Sequence, residues 1–248
     1  MVTIAVAMPV FNEADGIHET LSKLNFAFKN ASEDAEFFIQ DDQSSDNTLE
    51  IISKCTNELS MKISLESNPA NLGHGPTVIN AYMRAIDSDA DIVLQLDSDG
   101  QFNPSELIAL VNSVRFGAEI ALGVRRSRVD PWFRILLTKS LRLLLFIRFF
   151  KYFADPNSPI RAYKKKTLSD LILQIPSDAL IPNIYLVINA KLQGKKVESF
   201  VVTHRDRHGN NKTGSTWVSK SKIRSLVRLL NFSIRAFREF VAFKPRKF

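Results

Sequence analysis

The chain has 248 residues, carries 33 Lys+Arg against 26 Asp+Glu, and has a net charge of +7 and a pI near 9.5. Hydrophobic content of 45% with 24% charged residues excludes a disordered chain, and the length suits one large α/β domain or two small ones. A single cysteine, Cys55, excludes an internal disulfide and gives no sign of an oxidising compartment. No stretch reaches the roughly 18 uncharged apolar residues of a spanning helix. The nearest one, Trp132–Phe153, is interrupted by Arg134, Lys139, Arg142, Arg148 and Lys151. The opening MVTIAVAMPVFNE has no basic n-region, so it is expected to be a first strand and not a secretory signal. These features lead to the expectation of a soluble or surface-bound protein.

In chain order, the pattern alternates. Thr3–Phe11 is expected as a strand and Glu13–Asn30 as a helix, with Ile17, Leu21, Leu24 and Phe28 on one face. A short strand at Glu36–Gln40 runs into Asp41–Asp42, followed by a helix at Asn47–Glu58 and a strand at Lys62–Glu66. Pro76–Ile86 is a helix with proline in its first turn, where the missing N–H costs nothing. Asp91–Leu96 is a nearly continuous apolar strand ending in Asp97-Ser98-Asp99; Pro104–Phe116 is a helix and Glu119–Val124 a strand. Alternation of this kind predicts an α/β fold, a mostly parallel sheet with helices on both faces. Past residue 125 the expectation is a basic-apolar helix over 131–153, then an irregular DPNSPIRAY segment. A helix near Ile181–Gln193, a strand at Lys196–Val202, a polar loop His204–Ser215 and a final helix from about Lys220 complete the chain. The organisation expected is a domain over 1–216 followed by an amphipathic helix over 217–248.

The charge is unevenly distributed. Residues 1–124 hold 6 Lys+Arg against 19 Asp+Glu, whereas residues 125–248 hold 27 against 7. A basic second half suits an anionic counterpart such as phosphates, a nucleic acid or an anionic membrane, with a solvated basic face as the plain alternative. In the last helix Lys220, Ser221, Arg224, Arg228, Asn231, Arg235, Arg238 and Glu239 form a basic stripe opposite a broad apolar face. Either a membrane-interface helix or one packed on the protein's own core has that pattern.

Acidic turns follow three predicted strands: Asn12-Glu13, Asp41-Asp42 with Asp46, and Asp97-Ser98-Asp99 with Gln101. Carboxylates gathered at one sheet edge repel unless a cation or many donors neutralise them. A hard divalent cation with few protein ligands, its shell completed by water and substrate phosphates, suits such a set. Asp46 or Ser45 is expected simply to cap the following helix. Asn71-Leu72-Gly73-His74-Gly75-Pro76 is either a tight structural turn or a phosphate contact at a helix start, and matches neither dinucleotide nor P-loop fingerprints. His18 is expected in solvent, and no nucleophilic triad is evident.

With MPVFNE (8–13), DDQSSDNT (41–48), NLGHGP (71–76), LDSDGQ (96–101), GVRR (123–126), DPNSPIRAYKKK (155–166) and HRDRHGNNKTGS (204–215) in this order, the chain resembles family 2 inverting glycosyltransferases of the GT-A fold. It is most similar to their polyprenyl-phosphate branch, typified by dolichyl-phosphate mannose synthase. It departs from the family at Phe11, where tyrosine is common, at Ser98, often alanine, and at Asn157–Arg161, where a Gly-Ser-Phe-Arg type of run is usual.

The resemblance implies a metal-dependent transferase that moves a hexose from a nucleotide-sugar to a polyprenyl phosphate at the cytoplasmic face of a membrane. Pro9, Phe11, Glu13, Asp42 and Ser98 would hold the donor nucleotide. Asp97, Asp99 and Gln101 would hold Mg²⁺ or Mn²⁺ on the diphosphate, which neutralises the leaving group. Arg125, Arg205, Arg207 and Lys212 would bind donor or acceptor phosphates. Were the acceptor a saccharide hydroxyl, the alternative reading, a base would be required, and Asp155 is the candidate. The implied partners are the donor, the lipid acceptor and an anionic membrane surface, with a membrane-anchored partner or a homo-oligomer in reserve. A nucleic-acid-binding role is the remote rival, disfavoured because acidic strand ends repel a phosphate backbone.

Overall fold

The structure, a computed structural model, describes residues 3–125, 132–203 and 222–245. β1 (Ile4–Val10), α1 (Ile17–Asn30), β2 (Ala35–Asp41), α2 (Thr48–Glu58), β3 (Lys62–Ser67), α3 (His74–Asp87), β4 (Ile92–Gln95), α4 (Pro104–Arg115) and β5 (Ile120–Arg125) alternate as expected. Then come α5 (Trp132–Phe149), β6 (Arg161–Lys164), α6 (Lys165–Ile172), α7 (Pro182–Leu192), β7 (Val197–Val202) and α8 (Lys222–Ala242).

These strands form one seven-stranded sheet in the order β3-β2-β1-β4-β6-β5-β7. All neighbours are parallel except β6, which runs antiparallel between β4 and β5. The chain moves outward from β1 through β2 to β3, then returns to place β4 on the other side of β1. That reversal makes a topological switch point, where ligands bind beyond the carboxyl ends of the strands.

Alternation along β1 explains the two layers. Ile4, Val6, Met8 and Val10 pack on α1, α2 and α4, while Ala5 and Ala7 face α3, α6 and α7 on the other side. The alanines leave room for α3 to lie close, with Val78, Ala81, Tyr82 and Ala85 buried against the sheet. Pro9 is tolerated in this central strand because β4 pairs only with Ile4–Ala7, so no ladder bond is asked of its nitrogen there.

Two elements differ from the sequence expectation. The segment expected to be irregular contains β6 and leads directly into α6. Arg161 on β6 is fully buried, so a residue type that normally marks solvent occupies a central strand. α6 opens on a run of lysines, and Thr167, Leu168, Leu171 and Ile172 form its buried stripe. The basic-apolar helix is also shorter than 131–153: Phe150, at φ 50°, turns left-handed and ends it. The polar loop 204–215 lies outside the described residues.

Candidate active site

Because β1, β2, β4 and β5 are parallel and β6 antiparallel, the ends of the first four and the approach to the last share one edge. The loops after β1 and β2 are laced together there. Asn12, held at φ 52°, donates its N–H to Ser44 Oγ at 2.9 Å and accepts the Ser45 N–H at 2.8 Å. Glu13 N donates to Thr48 Oγ1 at 2.8 Å. Asp46 accepts Thr48 N at 3.0 Å and Ala14 N at 3.2 Å, so it bonds the first residue of α2 and ties down the β1 loop, while the N-cap position itself falls to Asn47. His18 is exposed, 3.5 Å from Glu58.

Asp42 is buried, and the glycine-rich turn closes on it. Its Oδ1 accepts Asn68 Nδ2 at 2.9 Å and Leu72 N at 2.7 Å, and its Oδ2 accepts Gly73 N at 2.9 Å. The turn therefore offers these backbone N–H groups to an internal carboxylate, the anion that neutralises them. Its glycines have separate reasons. Gly73 has φ 88°, and a Cβ on Gly75 would sit 2.1 Å from the Ala179 carbonyl oxygen. The structural alternative accounts for this turn.

Asp97 and Asp99 follow β4 at the switch point, both half-buried, with Ser98 buried between them. Asp99 Oδ1 accepts Gln101 N at 3.1 Å, which closes the turn. Beneath Asp97 lies a buried polar chain. Burial holds the Tyr82 phenol well above its ordinary range, so it stays a donor, and it lies 2.9 Å from Asn183 Oδ1. Asn183 Nδ2 donates to Gln95 Oε1 at 3.3 Å, which turns Gln95 Nε2 toward Asp97 Oδ1, also at 3.3 Å. Arg161 anchors the chain by donating to the Asn183 carbonyl at 2.9 Å, to Tyr163 Oη at 3.2 Å and to the Ser158 carbonyl at 2.8 Å. His74 Nε2, at the start of α3, lies 3.9 Å from Asp97 Oδ1.

On the other side of β4, Arg125 at the end of β5 grips Asp155 through Nε–Oδ2 at 2.8 Å and Nη2–Oδ1 at 3.1 Å. Its Nη2 also donates to the Asn157 carbonyl at 3.2 Å. Of the residues singled out in the sequence, Pro9, Phe11, Glu13, Asp42, Asp97, Ser98, Asp99, Gln101, Arg125 and Asp155 belong to loops or strand ends of this one edge. Arg205, Arg207 and Lys212 lie outside the described residues. Gln95, Asn183, Tyr82 and Arg161 were not singled out; for Gln95 and Asn183 the signal was a polar residue breaking an apolar run, and Tyr82 and Arg161 gave none.

Among the described residues no group of three or more His, Cys, Asp or Glu is arranged to hold a metal ion. Asp97 and Asp99 with Gln101 supply hard oxygen donors from one turn. That set fits Mg²⁺ or Mn²⁺ of the kind that takes one or two carboxylates and completes its shell from substrate.

A mostly parallel sheet, one antiparallel strand inserted in it, and acidic turns at the switch point together define the GT-A architecture. The chain belongs to glycosyl transferase family 2, whose profile matches residues 5–172. It is 26% identical over 211 residues to the undecaprenyl-phosphate 4-deoxy-4-formamido-L-arabinose transferase of Proteus mirabilis, covering 84% of this chain and 62% of that one. The protein of the same name from Yersinia pestis is 24% identical over 229 residues, 92% of this chain and 64% of the relative. The chain thus spans less than two thirds of the curated relatives' length.

Among solved structures, glucosyl-3-phosphoglycerate synthase from Mycobacterium tuberculosis superposes with a TM-score of 0.64 at 17% identity, covering 97% of this chain and 79% of that one. That structure is a complex with Mn²⁺, UDP and glucosyl-3-phosphoglycerate. S. aureus TarS 1–349 superposes with a TM-score of 0.57 at 18% identity, covering 83% and 61%.

Proposed function

We propose that the chain is an inverting, metal-dependent glycosyltransferase that moves a sugar from a nucleoside-diphosphate donor onto a polyprenyl phosphate at the cytoplasmic face of a membrane. The observation that carries this reading is the seating of Asp97 and Asp99 at the carboxyl end of β4, beside the end of β1, over the polar chain that orients Asp97. The names of the curated relatives support the lipid phosphate as acceptor class.

In this reading the laced β1 and β2 loops receive the nucleoside: Pro9, Phe11 and Glu13 from one side and Ser98 from the other. Asp42 contributes by fixing the Leu72–Gly73 turn. Asp97, Asp99 and Gln101 hold the divalent cation, which when bound neutralises the diphosphate as it leaves. Arg125, Arg205, Arg207 and Lys212 supply cationic donors for donor and acceptor phosphates. A phosphate acceptor is anionic at neutral pH and asks for no general base, so catalysis rests on positioning and charge stabilisation. Asp155, already paired to Arg125 through both oxygens, positions that arginine.

A donor screen tests the reading. The protein is incubated with a panel of nucleotide sugars, Mg²⁺ or Mn²⁺ and a polyprenyl phosphate, and lipid-linked product is counted. Because the relatives are named for an arabinose derivative, the panel includes pentose as well as hexose donors. Product on a saccharide hydroxyl, with none on lipid phosphate, would replace this acceptor with the alternative one.

A further inference from the structure

The apolar side of α8 is divided in two. Phe232, Ala236, Phe240 and Phe243 pack on the core that holds α7. Glu239, on the same side, accepts the Leu180 N–H at 3.0 Å, and Tyr185 stacks on Phe243 at 4.0 Å. Arg148 of α5 locks the C-terminal end, donating to the carbonyls of Phe240, Val241 and Phe243 and lying over the Phe240 ring at 4.8 Å. These contacts leave Val227, Leu230, Ile234, Phe237 and Val241 exposed on an outward stripe roughly 80° wide at about 100° per residue. Exposed Arg228, Asn231, Arg235 and Arg238 lie directly beside it.

α5 repeats the arrangement. Leu141, Leu145 and Phe149 face the core, while Leu143, Phe146, Ile147 and Phe150 face outward, Ile147 59% and Phe150 81% exposed. The single acid on the described parts of α5 and α8 is Glu239, which is turned inward onto Leu180.

We infer that the outward stripes of α5 and α8 dock the protein on an anionic lipid bilayer. An outward apolar stripe on each helix, arginines beside that of α8, and no outward acid on the described parts of either helix match a negatively charged surface with an apolar interior. A nucleic acid would use the arginines and leave the stripes uncovered. A second copy related by a two-fold axis would bring Arg228, Arg235 and Arg238 toward their equivalents. Among the described residues no helix is long and apolar enough to cross a membrane, so a lying helix is the attachment this part of the chain can make. α5 also leaves the sheet after Arg125 and returns before Asp155, so the docking helix is tethered at the active-site pair. The inference deepens the lipid-acceptor reading by naming the surface that brings the site to its substrate, but its test needs neither donor nor acceptor.

The full chain is sedimented with vesicles of phosphatidylcholine alone and of equal parts phosphatidylcholine and phosphatidylglycerol, at low and raised salt. Binding to the mixed vesicles, released by salt and much weaker on the neutral ones, is expected. Ile234→Glu with Phe237→Glu should weaken it by roughly tenfold or more without moving the thermal unfolding midpoint. Arg235→Glu, which sits in solvent and disturbs no packing, should act in the same direction. Wild-type protein that ignores the mixed vesicles, or variants that bind as well as wild type, would overturn the inference. So would a wild-type dimer in light scattering that Ile234→Glu splits, which would assign the face to a second copy. A chain that binds vesicles but transfers no sugar would sink the proposed function and leave the docking surface standing.

Discussion

Arg125 and Asp155 are 30 residues apart, and their side chains form a two-pronged ion pair at 2.8 and 3.1 Å. Between them runs the whole α5 excursion, so the pair closes the loop where it leaves β5 and where it turns back toward β6. The Asp155 side chain is 1% exposed and that of Arg125 14%, so neither charge is well served by water if the other is removed.

Asp155→Asn should therefore lose about 3 kcal/mol of stability, at the lower end of the range for breaking a buried pair. Arg125→Gln should lose a similar amount, and the double variant little more than either alone, because both changes remove one interaction. Chemical denaturation of the four proteins measures this cycle. If instead Asp155→Asn leaves stability untouched and removes the acid limb of the pH–rate profile, the residue is a general base and the hydroxyl-acceptor reading gains.

Glu119, just before β5, joins three elements. It accepts Lys196 N at 2.9 Å and Thr167 Oγ1 at 3.3 Å, and it pairs with Lys195 Nζ at 3.1 Å. Burial alone would raise its pKa, but the bonds from Lys196, Lys195 and Thr167 outweigh this and lower it. A lowered carboxylate contributes stability that is present above its unfolded value, about 4.3, and is lost as pH falls through the folded value. Glu119→Gln should cost about 1 kcal/mol at neutral pH, discounted for partial exposure. The difference from wild type should vanish in acid below the ordinary carboxylate range. Urea midpoints measured across that range check it.

Gly75→Ala tests why the turn after β3 is glycine-rich. The added Cβ would meet backbone at the Ala179 and Leu180 carbonyls, at 2.1 and 2.8 Å, and backbone cannot rotate away as a side-chain tip can. A loss of roughly 1–3 kcal/mol is expected from the overpacking. Weaker nucleotide binding should accompany it, since α3 begins beside Asp97. Thermal unfolding and calorimetry with UDP and GDP separate the two effects. An alanine variant as stable as wild type would show that the approach of the Ala179–Leu180 backbone is not what selects glycine.

The sheet was legible because its strands announce themselves: Ile92–Leu94 with Leu96 is apolar and runs to Asp97, and β1 alternates large side chains with alanine. The acidic turns were legible for the same reason, since each follows an apolar run. β6 was not, because a strand containing Arg161 and framed by Pro159 and Lys164–Lys166 carries no apolar period. Its burial depends on carbonyls from residues 156, 158 and 183, partners that only the folded chain brings together. Gln95 was hidden in the same way: within β4 it reads as a weak interior position, and its meaning comes from Asn183 on α7, 88 residues away. For α8 the amphipathic pattern was plain, but sequence merges two apolar stripes that the structure assigns to different surroundings.

The metal reading makes the sharpest distinction between Asp99 and Gln95. In Asp99→Asn the side-chain oxygen that accepts Gln101 N at 3.1 Å is retained, so the turn should hold and stability should stay within about 0.5 kcal/mol of wild type. What is lost is a charged oxygen ligand, so Mn²⁺ binding in the presence of nucleoside diphosphate, followed by calorimetry, should collapse together with turnover. EDTA should abolish wild-type turnover, and added Mg²⁺ or Mn²⁺ should restore it. Gln95→Leu should behave differently. It leaves the Asn183 amide without its acceptor in a buried chain, at a cost of about 1–3 kcal/mol. It also frees the Asp97 carboxylate to rotate, so metal affinity should fall by roughly tenfold or more, the range for loss of an orienting partner behind a ligand. Unchanged Mn²⁺ affinity in Asp99→Asn, or full turnover of wild type in chelator, would remove the cation from the mechanism. The strand-end carboxylates would then need another source of positive charge.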